Sequence, residues 1–174
     1  FVFKASFDKA NRSDHRSYRG PGLIDGLRAL AGIKRLHDLK IVTDVHDVKQ
    51  VERVAAVADV IQIPAFLARQ TDLLRAAAQT KKPLLLKKMQ MMSPLDAAQL
   101  RDKAIALGGE SVMICERGTS FGYQNLVLDF QGLCEMNRRL IPLVVDVSHA
   151  LQKPGSDGTK TGGRGRDVAS MARA

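Results

Sequence analysis

At six places this sequence sets charged or hydrogen-bonding side chains directly behind an apolar run. They are Lys4 with Asp8-Lys9-Ala10-Asn11-Arg12-Ser13, Asp44-Val45-His46, Gln62-Ile63-Pro64-Ala65, Lys87-Lys88-Met89-Gln90, Glu116-Arg117-Gly118 and Asp146-Val147-Ser148-His149. A lysine within a buried strand needs an anion nearby, because an unpaired charge away from water costs about several kcal/mol. Lys4 and Lys87 are such lysines, and a bound phosphate or carboxylate would serve them. Arg12 and Arg117 suit the same task, since a guanidinium grips two anionic oxygens in a fixed fork. Taken singly, a strand-end Lys or Arg is usually salt-bridged or snorkelling. A lone histidine such as His46 or His149 is more often a satisfied core residue than a ligand or a base. Taken together, the cations gathered at strand ends predict a pocket for a small, multiply charged anion. Asp44 and Asp146 read equally as counterions of the lysines or as members of that pocket.

The elements that must position these residues alternate between two periodicities. Strands are expected at Phe1 to Phe7, Lys40 to Val45, Val60 to Pro64, Pro83 to Lys88, Val112 to Glu116 and Leu143 to Val147. Runs such as Leu143-Val144-Val145 are almost continuously hydrophobic, as in parallel strands covered on both faces. Helices are expected at Gly22 to Lys34, Lys49 to Val57, Arg69 to Gln79, Pro94 to Ala106, Gln131 to Arg139 and Asp167 to Ala174. Ser93-Pro94 supplies a cap followed by proline at the first helical position, and Gly108-Gly109 stops that helix. The polar, glycine-rich stretch from 153 to 165 predicts a flexible loop, with a lid as one role for it. Parallel α/β proteins build their sites at the carboxyl ends of strands, where the six clusters fall.

Composition narrows the classes. Apolar residues make up 45% and charged residues 26% of 174, an ordinary globular balance that argues against disorder. No apolar run approaches the roughly 18 residues that span a bilayer, and Phe1 to Lys9 lacks a secretory pattern, so a cytoplasmic protein without membrane contact is expected. Cys115 and Cys134 form no CxxC pair and are expected as small core residues. Met89, Met91 and Met92 read as core filling. The net charge of +9 could serve nucleic acid, but its cations gather at strand ends and stacking aromatics are few, so nucleic acid is not the expected partner.

The run Phe3-Lys4-Ala5-Ser6-Phe7-Asp8-Lys9-Ala10-Asn11-Arg12-Ser13, followed by Ser17-Tyr18-Arg19-Gly20-Pro21-Gly22, resembles the signature of the 3-deoxy-D-manno-octulosonate 8-phosphate synthase family. The likeness continues in order through Thr43-Asp44-Val45-His46, Gln62 to Asp72, Glu116-Arg117-Gly118 with Phe121-Gly122-Tyr123, and Asp146 to Gln152. It implies an α/β fold, the (β/α)8 TIM barrel, of which about six strand-helix units are present in one partial domain spanning 1–174. It implies condensation of phosphoenolpyruvate with D-arabinose 5-phosphate and water, releasing phosphate and feeding lipopolysaccharide or cell-wall Kdo synthesis. By resemblance Lys4, Lys9, Gln62, Lys87 and Arg117 hold phosphoenolpyruvate, with Pro64 and Ala65 beside them. Asn11, Arg12 and Ser13 take the sugar phosphate, and Arg69 assists from a neighbouring subunit of a homo-oligomer, a tetramer in the family. Lys4, Lys9, Asn11, Asp44, His46, Lys87 and His149 are the candidate catalytic residues. No cofactor is implied outright, although in the metal-dependent branch a divalent metal is bound and His149 is one of its ligands.

The chain departs from the family pattern at Lys87-Lys88-Met89-Gln90-Met91, where Gly or Pro usually follows the two lysines. The family's first strand and its final strand with the following loop have no counterpart here. A sister enzyme using another acceptor, erythrose 4-phosphate or an amino sugar, is the second expectation, and a non-catalytic anion-binding chain the third.

Overall fold

The computed structural model describes residues 1–157 and 160–174. Six strands, β1 (Val2–Lys4), β2 (Lys40–Asp44), β3 (Val60–Ile63), β4 (Leu84–Lys87), β5 (Val112–Glu116) and β8 (Leu143–Val145), form one parallel sheet in that order. Parallel neighbours need a crossover, and α1 (Leu23–His37), α2 (Val48–Ala55), α3 (Thr71–Gln79), α4 (Pro94–Ala106) and α5 (Phe130–Arg138) provide it. Two short pairs, β6 (Thr119–Ser120) with β7 (Leu126–Val127) and β9 (Gln152–Asp157) with β10 (Lys160–Gly163), stand outside the sheet, as do α6 (Val147–Ala150) and α7 (Val168–Arg173). Lys87 at the end of β4 forms an ion pair with Asp146, beyond the end of β8, although β5 lies between them. Strands two apart are separated by about 9–10 Å, a span that the two side chains bridge over β5 on one face of the sheet. This is the partial (β/α)8 barrel expected.

The central strands are filled by Ile41, Ile61, Ile63, Leu84, Leu86 and Ile114, each with no exposed surface, against Val54, Leu74, Ala77 and Ala104 of the helices. Helix α4 has the expected bounds. Ser93 Oγ accepts from the Asp96 N–H while the Asp96 carboxylate accepts from the Ser93 N–H, a reciprocal cap with Pro94 in the first turn. Asp47 and Asp129 cap α2 and α5 in the same manner, each accepting a backbone N–H.

The long loop between β1 and α1 is folded back on the strand end. The Lys9 N–H donates to the Arg19 carbonyl at 2.6 Å, the Gly22 N–H to the Phe7 carbonyl at 3.0 Å, and Arg19 Nε to Asp8 Oδ1 at 2.9 Å. Gly20 lies in the left-handed region at φ 127°, and a Cβ there would sit 2.5 Å from the Phe7 carbonyl oxygen. Gly20→Ala is therefore expected to destabilise the protein by about 1–3 kcal/mol. Gly32→Ala, in the middle of α1 with open space around the added carbon, should stabilise it by about 0.5–1 kcal/mol. Urea unfolding checks both, and equal midpoints for the two variants would contradict this account of the loop.

Several expectations differ from the structure. The segment from 153 to 165, read as a loop, is mostly the antiparallel pair β9–β10, with Gly162 opposite Lys153 and Gly163 opposite Gln152. Gly158 and Thr159 within it lie outside the described residues. It escapes pattern reading because neither face is apolar, so no alternation marks the strands. The β6–β7 pair and α6 also lack a signal, being only two and four residues long. Val144 and Val145 are 37% and 38% exposed rather than buried, because β8 ends the sheet and no further strand covers it. Cys134 is exposed rather than in the core, on the outer face of α5, whereas Cys115 is buried. Of the three methionines, Met92 is buried and Met89 packs on the core, but Met91 is 69% exposed on the turn after β4.

Candidate functional site

A cavity of about 760 Å³ opens at the carboxyl ends of the strands. The structure brings to it Lys4, Lys9, Asn11, Arg12, Ser13, Asp44, His46, Gln62, Pro64, Ala65, Lys87, Arg117 and His149, every expected site residue except Arg69. Arg69 lies on the outside in the turn before α3, where its carbonyl accepts from Lys103 Nζ at 3.0 Å. The curl of the sheet assembles the rest, since side chains that leave strand ends on a closing sheet converge on its axis.

The charged residues differ in depth. Lys87 and Arg117 are buried at 6% exposure each, and so are Gln62, Pro64 and Ala65. Lys4, expected within a buried strand, keeps exposed surface because β1 is an edge strand of the sheet, and Lys9, Asn11, Arg12 and Ser13 are exposed on the rim, carried by the loop that Gly20 and Arg19 fold back. Lys4 and Lys9 both donate to Ser6 Oγ, at 3.0 and 2.9 Å, so the unassigned Ser6 sets the spacing of two ammonium groups. Burial pulls the pKa of Lys4 down and Asp44 opposes the shift, while Lys9 and Lys87 add to it. A dianion entering this space relieves that repulsion.

Each aspartate has its partners inside the protein. His46 Nε2 lies 3.1 Å from Asp44 Oδ2, the ring stands edge-on to Phe7 at 5.7 Å, and the His46 N–H donates to Gln50 at 2.8 Å. Asp44 Oδ1 and His46 Nδ1 are buried and have no hydrogen-bond partner among the described residues. Burial alone would raise the Asp44 carboxyl, but the hydrogen bond with His46 and the charge of Lys4 outweigh it and hold the pKa low. Asp146 lies against Lys87 and 2.7 Å from His149 Nδ1, and it accepts the His149 N–H at 3.0 Å. Burial opposes ionisation there too, yet His149 and Lys87 together keep its carboxyl far below the carboxylate range. The anion that buried Lys87 required is thus Asp146, one of the two readings the sequence left open. Arg117 Nη2 donates to Gln152 Oε1 at 3.1 Å, and its pKa is lowered by burial. Cys115, beneath Lys87, has its thiol pushed up to about 11 by burial, so it stays protonated and is no nucleophile at neutral pH.

Pattern reading missed the residues that close the cavity from the β9–β10 side: Gln152, Pro154, Gly155 and Thr161. Only the glycine-rich composition marked that segment, and it indicated the wrong conformation. The resemblance gives His149 as a ligand of a divalent metal in the metal-dependent branch. No group of three or more His, Cys, Asp or Glu side chains converges among the described residues. His149 faces an ammonium, with Lys87 Nζ 3.5 Å from its Nδ1. Among the described residues His149, facing that ammonium, does not by itself make a divalent-ion site.

Three relatives resemble the chain along its whole length. They are the 2-dehydro-3-deoxyphosphooctonate aldolases of Methylococcus capsulatus, 49% identical over 174 residues, Syntrophotalea carbinolica, 50% over 173, and Bordetella pertussis, 48% over 180. The chain spans 62%, 62% and 63% of their respective lengths. The signature of the DAHP synthetase I family matches residues 1–174, the whole of this sequence, and its strand-end cations lie in one cavity; the chain belongs to the DAHP synthetase I family.

Proposed function

We propose that this chain carries the anion-binding core of an enzyme that condenses phosphoenolpyruvate with D-arabinose 5-phosphate and water, giving 3-deoxy-D-manno-octulosonate 8-phosphate and phosphate. The observation that carries the reading is the depth gradient of the cations. Buried Lys87 and Arg117, with Lys4 above them, suit the compact, triply charged phosphoenolpyruvate, and exposed Lys9, Arg12, Asn11 and Ser13 suit the phosphate of a longer sugar at the rim. The relatives named 2-dehydro-3-deoxyphosphooctonate aldolase support the same product.

In this reaction the methylene carbon of phosphoenolpyruvate bonds to the aldehyde carbon, whose oxygen gains a proton. Water adds to the second carbon of phosphoenolpyruvate and loses a proton, and the resulting intermediate breaks its carbon–oxygen bond to release phosphate. Two phosphates and a carboxylate must approach one another, so preorganised ammonium and guanidinium groups lower the cost of bringing them together. Asp44 and His46, which line the cavity, are the groups we assign to receive or hold protons. We place the work of the enzyme in the cytoplasm, in a homo-oligomer whose neighbouring copy presents Arg69 to the cavity. In support, Arg69 is exposed outside the cavity of its own chain, and no helix among the described residues is long and apolar enough to cross a membrane.

The test is an assay of the full reading frame with phosphoenolpyruvate and a panel of aldoses, following phosphate release. Turnover is expected with arabinose 5-phosphate at least about tenfold above erythrose 4-phosphate, since a site built around one substrate's polar groups rejects analogues that leave them unpaired. Preference for erythrose 4-phosphate or an amino sugar would favour a sister enzyme. No turnover with any acceptor, with tight phosphoenolpyruvate binding, would favour a non-catalytic anion binder.

A further inference from the structure

The most deeply buried charges in the protein are not in the cavity. Lys88 and Glu116 are 2% and 1% exposed and form an ion pair at 3.3 Å. Each precedes or follows a cavity cation by one residue, and because side chains alternate along a strand, Lys87 and Arg117 reach the cavity while Lys88 and Glu116 turn away from it. The pair is fully satisfied. Lys88 Nζ donates to the Met92 carbonyl at 3.0 Å and to Thr119 Oγ1 at 3.2 Å in addition to the carboxylate. Glu116 Oε1 accepts the backbone N–H groups of Arg117 at 2.9 Å and Gly118 at 2.6 Å.

These bonds tie together the two turns that carry the buried cations. The turn after β4 is held through Met92, and the turn after β5 through Arg117, Gly118 and Thr119, with Ser120 N–H donating to the Gln90 carbonyl at 2.9 Å as a further tie. Gly118, at φ 96°, stands where an added Cβ would lie 3.0 Å from the Ala150 Cα, so the second turn packs closely there. A buried ion pair is weak support for stability, since well-packed apolar residues of similar size do as well or better. Its distinctive effect here is geometric: one carboxylate fixes the backbone of Arg117, and one ammonium fixes the backbone downstream of Lys87. We infer that Lys88 and Glu116 are positioning residues that set the spacing of Lys87 and Arg117, and so the affinity of the deep half of the cavity for a phosphorylated carboxylate. This rests on the proposed function in so far as that anion is phosphoenolpyruvate.

The test compares two double variants of the full-length protein, which avoid leaving one buried charge alone. Lys88→Met with Glu116→Leu removes the acceptor of the Arg117 and Gly118 N–H groups. Lys88→Met with Glu116→Gln keeps an amide oxygen in its place. The leucine variant is expected to raise KM for phosphoenolpyruvate, and Kd for inorganic phosphate by calorimetry, about 10- to 100-fold with the aldose KM unchanged. The glutamine variant, which keeps the acceptor but still lacks the Lys88 ammonium, should recover part of that loss, leaving both about 3- to 10-fold above the parent. A merely structural role would lower the folded fraction of both variants without splitting the two KM values, and that result would overturn the inference, as would parental values in the leucine variant. If either variant fails to fold, Glu116→Asp, which keeps the charge but draws the acceptor back from the Arg117 and Gly118 N–H groups, is read by the same phosphate titration, with a loss of about tenfold expected and parental affinity overturning the inference. A parent that binds phosphate but turns over no acceptor sinks the proposed reaction and leaves this inference standing; a parent that binds neither sinks both.

Discussion

Lys87→Met is expected to lower kcat/KM for phosphoenolpyruvate by about 10³-fold, the upper end of what one preorganised charge contributes to a desolvated site. Lys87 is the buried ammonium of the cavity, held by Asp146 and 3.5 Å from His149, and methionine nearly keeps its shape while removing its charge. The loss should appear in kcat as well as KM, because the ammonium faces charge that shifts from the enol phosphate to the leaving phosphate. Steady-state kinetics with both substrates varied will show it. A variant that kept kcat and merely raised KM would mean that Lys87 binds the ground state alone. A variant with parental kinetics would remove the deep cations from the reaction altogether.

Asp146→Asn should have the second-largest effect, and it should depend on pH. Burial would raise this carboxyl, but His149 and Lys87 hold its folded pKa well below the ordinary 3.8. A carboxylate depressed in the folded state stabilises above its unfolded pKa, and that contribution is lost as pH falls through the window between the unfolded and folded values. The parent should therefore exceed the asparagine variant in stability by about 2–4 kcal/mol at pH 7. Below about pH 4 the gap should narrow with a slope approaching about 1.4 kcal/mol per pH unit. Urea unfolding at a series of pH values measures it, and a gap that stays constant down to pH 2 would show that the pair with Lys87 and His149 does not govern this carboxyl. Turnover should fall about 10²-fold in the same variant, because Asp146 orients both Lys87 and the His149 ring.

The bounds of the main elements were legible because their signals are local. Proline after a serine cap starts α4 at the expected residue, and near-continuous apolar runs mark β2 to β5. The β9–β10 pair was not legible, since a strand pair with two polar faces has no periodicity to read and Gly155 and Gly162 weaken whatever propensity remains. Cys134 and Met91 were misplaced for a related reason: residue type suggests burial, but which side of α5 or of the β4 turn meets the core is set by packing.

The six clusters behind the strands were present in the sequence, and with them the anionic character of the ligand, because charge type and strand-end position are properties of the chain itself. What those side chains do to one another was not. Only the tertiary structure brings Lys87 across β5 to Asp146 and separates buried Lys87 and Arg117 from the exposed rim of Lys9 and Arg12. Lys88 and Glu116 show the division most clearly. In the sequence they are charged neighbours of cavity residues like any others, and the alternation of side chains about two adjacent strands turns them away from the cavity to hold the turns in place.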